Sequence, residues 1–312
     1  MSFSVYWLQA GACGGDTMAL LGARSPDLIE LVSALDIQVL WHPSLSNLAA
    51  GEHAALLEAI VSGHQPLDLL VVEGAVIRGP AGTGLFDRWN GRPKKDLISE
   101  LARQAGYVVA AGTCASFGGL GVSGEIEATG LQFKGREAGG FLGKDFRSRH
   151  GLPVLNLSGC PVHPAVVAGA LGALVEGVPL ELDDLNRPLE WFGTLVHQGC
   201  SRNEYHEFRV EEQDFGSRGC LFFHLGCHGP LAYGPCNKFL WNSGSSKPRV
   251  GVPCFGCTEP EFPQQAPFFV TPNIEGIPLT LPPGVRRAHY MVYKGMAAVA
   301  APERLTERQN RV

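Results

Sequence analysis

Between His197 and Cys257 the chain places six of its nine cysteines, in the runs HQGC, GCLFFHLGCHGPLAYGPC and PCFGC. Thiolate sulfur is a soft metal ligand, and imidazole is the commonest nitrogen ligand. His197, Cys200, Cys220, Cys227, Cys236, Cys254 and Cys257 are therefore candidate ligands, and the Gly and Pro between them let a backbone wrap closely around a bulky group. Seven such ligands divide naturally as four plus three. Disulfides are one rival use of the same thiols, but nine is an odd number and a chain of 312 residues can build a core without covalent staples. Zinc is the stronger rival, because HxxC and CxxC are also zinc spacings.

The other three cysteines depend on the elements that carry them. FSVYWLQ (3–9) reads as a buried strand, followed by the glycine-rich AGACGGDT and the helical TMALLGARSPDLIELVSAL. IQVLWHPSL (38–46) reads as a second strand, GEHAALLEAIVSG (51–63) as a helix ending at glycine, and LDLLVVEG (67–74) as a strand covered on both faces. KKDLISELARQ (94–104) is an amphipathic helix. GYVVAAGTCASFGG and LPVLNLSGCPVHPAVVAGALGALVEG then repeat the pattern of apolar strand, small-residue loop and cysteine, the second with a helix starting near Pro161. Cys13, Cys114 and Cys160 thus fall at the carboxyl edge of a parallel sheet, where open α/β folds bind ligands.

Asp16 stands beside Cys13 with CxxC-like spacing, so Cys13, Asp16, Cys114 and Cys160 read as one four-ligand site. The plainer use of Asp16 is to cap the helix that follows. Glu73 ends a buried strand at the same edge; such a residue is ordinarily a hydrogen-bonded loop group, and its position makes it a candidate for proton handling. The GxCGGD run departs from the GxGxxG phosphate fingerprint.

After residue 180 regular periodicity largely disappears. The expected organisation is α/β, a parallel-sheet domain over 1–180 followed by a smaller, mostly irregular domain over 181–312. Bound metal contributes to folding the second, and its Pro-rich end from 258 onward runs extended. The ligand inventory closes as four, four and three, with no cysteine left over. Zinc and iron-sulfur clusters both suit such ligands. A three-ligand set is awkward for a closed structural zinc and natural for a 3Fe-4S cluster, although a catalytic zinc with an open position also uses three. His163, His206, His224 and His228 have no matched partner spacing and read as packing or surface residues. Phe239 and Trp241 read as apolar shell around a cluster.

A net charge of −5 and a pI near 6.1 give no footprint for nucleic acid or a membrane surface. Charged residues make up 18%, below the roughly 25% of an average soluble domain, which fits either a large partner subunit or many glycine-rich loops. No basic n-region, twin arginine or long apolar run is visible. The expectation is a cytoplasmic protein without a membrane span, where reduced thiols favour metal ligation.

In order, and up to about residue 265, WLQAGACGGD, VVEGA, GTCASFGG, NLSGCP, HxxC, LGCHGPLAYGPCNKFLWN and PCFGCTEPEF together resemble the small subunit of the NiFe hydrogenases. The resemblance implies a flavodoxin-like domain, an iron-sulfur cluster-binding domain, and a row of three clusters. These would carry electrons from a nickel-iron centre in a separate large subunit, so no catalytic residue is expected here. Carried over, a proximal 4Fe-4S cluster is held by Cys13, Asp16, Cys114 and Cys160. A distal 4Fe-4S cluster is held by His197, Cys200, Cys220 and Cys227, and a medial 3Fe-4S cluster by Cys236, Cys254 and Cys257.

Asp16 stands where most members have cysteine, which resembles the actinobacterial-type, oxygen-insensitive uptake group. The Cys220 to Cys227 interval is a residue longer than usual, and the expectation is a member without the leader and anchor of the exported ones. The implied function is hydrogen oxidation with relay to an acceptor that the sequence does not identify. A higher oligomer of heterodimers is compatible with it. The alternatives are a hydrogen-sensing regulatory subunit signalling to a kinase, whose group has cysteine at position 16, and a zinc-structured binding protein.

Overall fold

Residues 3–9 alternate β-branched, aromatic and leucine side chains with no polar face, so this strand can persist only where both faces are covered. It becomes β1 (Phe3–Gln9), next to the centre of a five-stranded sheet. The others are β2 (Ile37–Trp41), β3 (Leu69–Glu73), β4 (Tyr107–Ala111) and β5 (Leu155–Leu157). Their order is β2-β1-β3-β4-β5 and every neighbouring pair is parallel. This is the flavodoxin-like order, with its switch point between β1 and β3. The computed structural model describes residues 2–121, 124–263 and 268–307.

The register matters more than the order. Gln9 pairs with Glu73, Glu73 with Ala111, and Ala111 with Leu157. Four strands therefore end flush, and the segments bearing Cys13, Cys114 and Cys160 leave from one line. Below that line Tyr6, Leu8, Leu70, Val72, Val108 and Ala110 pack on Leu57 and Ile60 of α3 (Ala50–Val61) and on Leu97, Ile98 and Leu101 of α4 (Lys94–Gln104).

Several local expectations change. The single helix expected after β1 is two, α1 (Gly15–Leu21) and α2 (Leu28–Ala34). Gly22 ends the first, and the intervening Pro26 precedes Asp27, which caps the second in a reciprocal box with Glu30. Cys114 lies within a short helix, α5 (Gly112–Phe117), rather than in a loop. The helix expected from near Pro161 begins later, as α6 (Pro164–Glu176), because the His163 side chain accepts from the Ala165 amide and fixes its start.

The chain divides into two compact units, Met1–Trp191 with Thr258–Gln264, and Phe192–Cys257 with Gln265–Val312. The first therefore runs past the expected boundary at 180 and takes back a later segment. Arg187, buried, explains why. Its Nε donates to Asp183 Oδ2 at 2.8 Å, and its Nη1 donates to the Thr258 carbonyl and to Glu259 Oε1, each at 3.1 Å. Arg136 adds a bidentate pair with Glu261.

The second unit is mostly loops, as expected, with short helical turns at Val196–Gly199 and Asn203–Glu207. The expectation that everything from 258 runs extended is overturned by α7 (Arg287–Val299). Past Pro282 and Pro283 the run RAHYMVYKGMAAV contains no proline and is free to coil. Among the described residues no helix is long and apolar enough to cross a membrane.

Candidate metal centres

At the flush sheet edge, the loop after β1 delivers Cys13 and Asp16, the turn after β4 delivers Cys114, and the loop after β5 delivers Cys160. Cys13 and Cys160 are exposed on this chain, Cys114 is half-buried and Asp16 is buried. Burial pushes the Cys114 thiol up to about 11, with the neighbouring Asp16 and Cys13 adding to it. Burial likewise pushes the Asp16 carboxyl up to about 7; the Val162 amide opposes this and Glu73 adds to it.

The plain helix-capping use of Asp16 is not what the structure shows. The N-cap of α1 is Gly14, with no side-chain cap bond. Asp16 Oδ1 instead accepts from the Val162 amide at 2.6 Å, just beyond Cys160. Its carboxylate lies over Gly112, where a β-carbon would strike it, and Gly112 has φ 83°, a second reason for glycine there. Gly74 is constrained in the same way: φ is 90°, and a β-carbon would sit 2.6 Å from the Ala12 amide nitrogen.

Glu73 is 1% exposed and its two oxygens collect five donors. Oε1 accepts from the Asp16 and Thr17 amides, each at 3.1 Å. Oε2 accepts from Trp7 Nε1 at 3.0 Å, Gln9 Nε2 at 3.1 Å and the Thr17 hydroxyl. A carboxylate is the one side chain that can satisfy so many donors at once.

In the second unit His197, Cys200, Cys220 and Cys227 all line a single cavity, together with Arg202, Leu221, Phe222 and Pro248. The Arg202 guanidinium shapes it by donating to the carbonyls of Pro248, Ser217 and Gly219 at 2.6, 2.7 and 2.6 Å. Thr271 ties down the stretch between Cys220 and Cys227: its hydroxyl donates to the Phe222 carbonyl at 2.6 Å and accepts from the Gly226 amide at 2.9 Å. Arg209 stacks between Phe223 and Tyr290 of α7, at 4.6 and 5.4 Å from the ring centres.

Cys236 and Cys254 are raised by burial, Cys236 to about 12 with Cys257 as the next cause, and Cys254 far up, with Cys227, Cys257 and Cys236 among its neighbours. These three thiols therefore gather beside the four-ligand cavity. The Cys254 amide donates to Cys227 Sγ at 3.3 Å.

Among the described residues no cysteine is joined in a disulfide. Buried thiols held this far above neutrality keep their protons until a metal displaces them. Each of Cys200, Cys220 and Cys254 receives a backbone N–H from two residues on, at 3.4, 3.5 and 3.4 Å. Amide donors of this kind stabilise metal-bound thiolate and set cluster potential. The donor set thus fits iron-sulfur clusters. Among the described residues no three His, Cys, Asp or Glu side chains converge tightly enough for a single metal ion.

His206 packs against Phe222 and Phe223, in keeping with its reading as a packing histidine, but its approach to a candidate ligand was not anticipated. Its Nδ1 lies 3.4 Å from Cys220 Sγ and its ring packs edge-on against His197 at 4.4 Å. Burial lowers it to about 3, with His197 and Arg209 adding to the effect. No spacing rule could have found it, since the contact closes through an irregular turn. Of the other histidines, His224 pairs with Glu211 at 2.8 Å and His163 caps α6. Phe239, expected to pack around a cluster, is 49% exposed.

Comparison with known proteins locates both units. The C-terminal family of NiFe/NiFeSe hydrogenase small subunits matches residues 192–270, and the NADH ubiquinone oxidoreductase, 20 Kd subunit family matches residues 13–174. The periplasmic NiFe hydrogenase small subunit 1 of Nitratidesulfovibrio vulgaris is 31% identical over 85% of this chain and 81% of its own. The F420 non-reducing hydrogenase I small subunit of Methanosarcina mazei is 29% identical over 88% and 77%. Among solved structures, the actinobacterial-type NiFe-hydrogenase from Ralstonia eutropha H16 superposes with a TM-score of 0.77 at 26% identity, over 99% of this chain and 94% of that one. The reduced, active Ni-Fe-Se hydrogenase from Desulfomicrobium baculatum gives 0.75 at 28% identity, over 86% and 99%.

Proposed function

The chain belongs to the family of NiFe hydrogenase small subunits, and on that premise we propose that it relays electrons from hydrogen oxidation in a large subunit to a separate acceptor. Three clusters would supply one-electron carriers when bound. In this reading Cys13, Asp16, Cys114 and Cys160 hold the proximal one, Cys236, Cys254 and Cys257 the medial one, and His197, Cys200, Cys220 and Cys227 the distal one. The observation that carries it is the lining of one buried cavity by all four members of the last set.

What the chain itself does follows from its side chains. Leu221 and Phe222 keep water from the distal cavity, which lowers the local dielectric and the energy needed to reorganise solvent. Backbone N–H groups at Cys200, Cys220 and Cys254 bind thiolate charge without adding a mobile proton. Cys13 and Cys160, exposed on this chain, face outward where a large subunit would cover the proximal site.

Asp16 is the finer assignment. A carboxylate keeps the charge of a thiolate but donates less electron density to iron, so a proximal cluster with three Cys ligands and one Asp would sit at an altered potential. The burial of Asp16 beside Cys13 and Cys114 supports this, and the likeness to the Ralstonia eutropha structure supports an actinobacterial-type reading. The aspartate itself argues against the hydrogen-sensing alternative, whose group carries cysteine there.

The test is anaerobic purification with the large subunit, followed by iron and acid-labile sulfide analysis and hydrogen-dependent dye reduction. Sulfide with sustained turnover is expected. Zinc without sulfide would refute the relay, and turnover too slow for an uptake enzyme would favour the sensor.

A further inference from the structure

Resting on the assignment of Asp16 to the proximal site, we propose that Glu73 is its positioning residue, capping α1 from the neighbouring strand so that the Asp16 carboxylate is left free for the site. The first amides of a helix need an acceptor, and an Asp in the first turn is among the side chains that ordinarily supply one. Here Glu73 Oε1 takes the Asp16 and Thr17 amides, although it lies on β3 and α1 follows β1. The parallel pairing of Gln9 with Glu73 makes this reach possible. With the Asp16 and Thr17 amides taken by Glu73, Asp16 Oδ1 turns instead to Val162 beside Cys160.

The second Glu73 oxygen locks the arrangement. Trp7 and Gln9 project from the same face of β1 and both donate to Oε2, as does the Thr17 hydroxyl. The carboxylate cannot rotate without stranding several buried donors, among them Trp7 Nε1, which can serve only as a donor. Shortening the side chain removes this reach, whereas replacing carboxylate by carboxamide keeps one oxygen for both helix amides.

Two conservative variants, purified as complexes with the large subunit, separate position from charge. Glu73→Asp keeps the charge and loses the reach; it is expected to split the proximal EPR signal into several line shapes, as Asp16 competes to cap its own helix. Glu73→Gln keeps the reach and loses the charge; it is expected to retain a single line shape at a more positive midpoint potential. The reverse pattern, or an unaltered line shape in Glu73→Asp, overturns the proposal. If Glu73→Asp does not assemble, Glu73→Gln decides alone: one line shape supports it, several refute it. Asp16→Ala tests the underlying assignment separately. If it leaves the proximal signal unaltered, Asp16 is not a ligand and the positioning role falls with it; if only Asp16→Ala changes the signal, the ligand stands and the role of Glu73 fails.

Discussion

The Cys254 amide donates to Cys227 Sγ at 3.3 Å, so the backbone of one ligand set touches the sulfur of the other. Charge that arrives on Cys227 is felt directly at the peptide carrying Cys254. Cys227→Ser should therefore shift both the distal and the medial signals in redox-poised EPR. Cys200→Ser should alter the distal signal alone, because its N–H donor is Arg202, which lines the same cavity. Equal disturbance of the medial signal by both variants would refute the link.

Arg202 holds three backbone carbonyls around the distal cavity. Each such charge-assisted bond contributes about 1.5–3 kcal/mol. Arg202→Ala leaves the stretch before Cys220 unclamped, and iron and sulfide content should fall by about one cluster per chain. A full complement of both would show that the clamp is dispensable.

Arg187→Met removes a buried guanidinium and the ion pairs it makes with Asp183 and Glu259. Breaking one side of a buried ion pair costs about 3–5 kcal/mol, which denaturant unfolding of the complex should register. Arg92→Met, at an exposed side chain paired with half-buried Glu100, should cost no more than about 1 kcal/mol.

His53 carries a pH dependence with a definite sign. It is buried, 2.6 Å from the Tyr6 hydroxyl and stacked on Trp41 at 3.7 Å. Burial holds it below its ordinary value of 6.5. As pH falls through 6.5 the unfolded chain takes up a proton that folded His53 resists, so stability is present above that pH and lost toward acid. His53→Gln should flatten the decline in thermal midpoint between pH 7 and about 5. An unchanged slope would place the titration elsewhere.

The sheet and its edge were legible because apolar runs, small-residue loops and cysteines repeat in one grammar, and parallel register then brings Cys13, Asp16, Cys114 and Cys160 together. Four of the seven candidate ligands of the second unit line one cavity, as their grouping in the sequence suggests, and the division into four and three rests on counting. Three features were not legible. The cap that Glu73 places on α1 crosses two strands and leaves no spacing signal. His206 reaches Cys220 through a turn without period. Helix α7 was hidden by the prolines flanking it, whose influence ends at Pro283.

The polypeptide visits its first unit twice, and Arg187 shows what this imposes on biosynthesis. Until Glu259 has been made, after every thiol in the chain, the guanidinium lacks that carboxylate. A fragment ending at Trp191 would lack the closing segment, so truncation there yields an incomplete body rather than a smaller protein. Ribosomal order thus couples completion of the sheet domain to emergence of the whole metal-binding region.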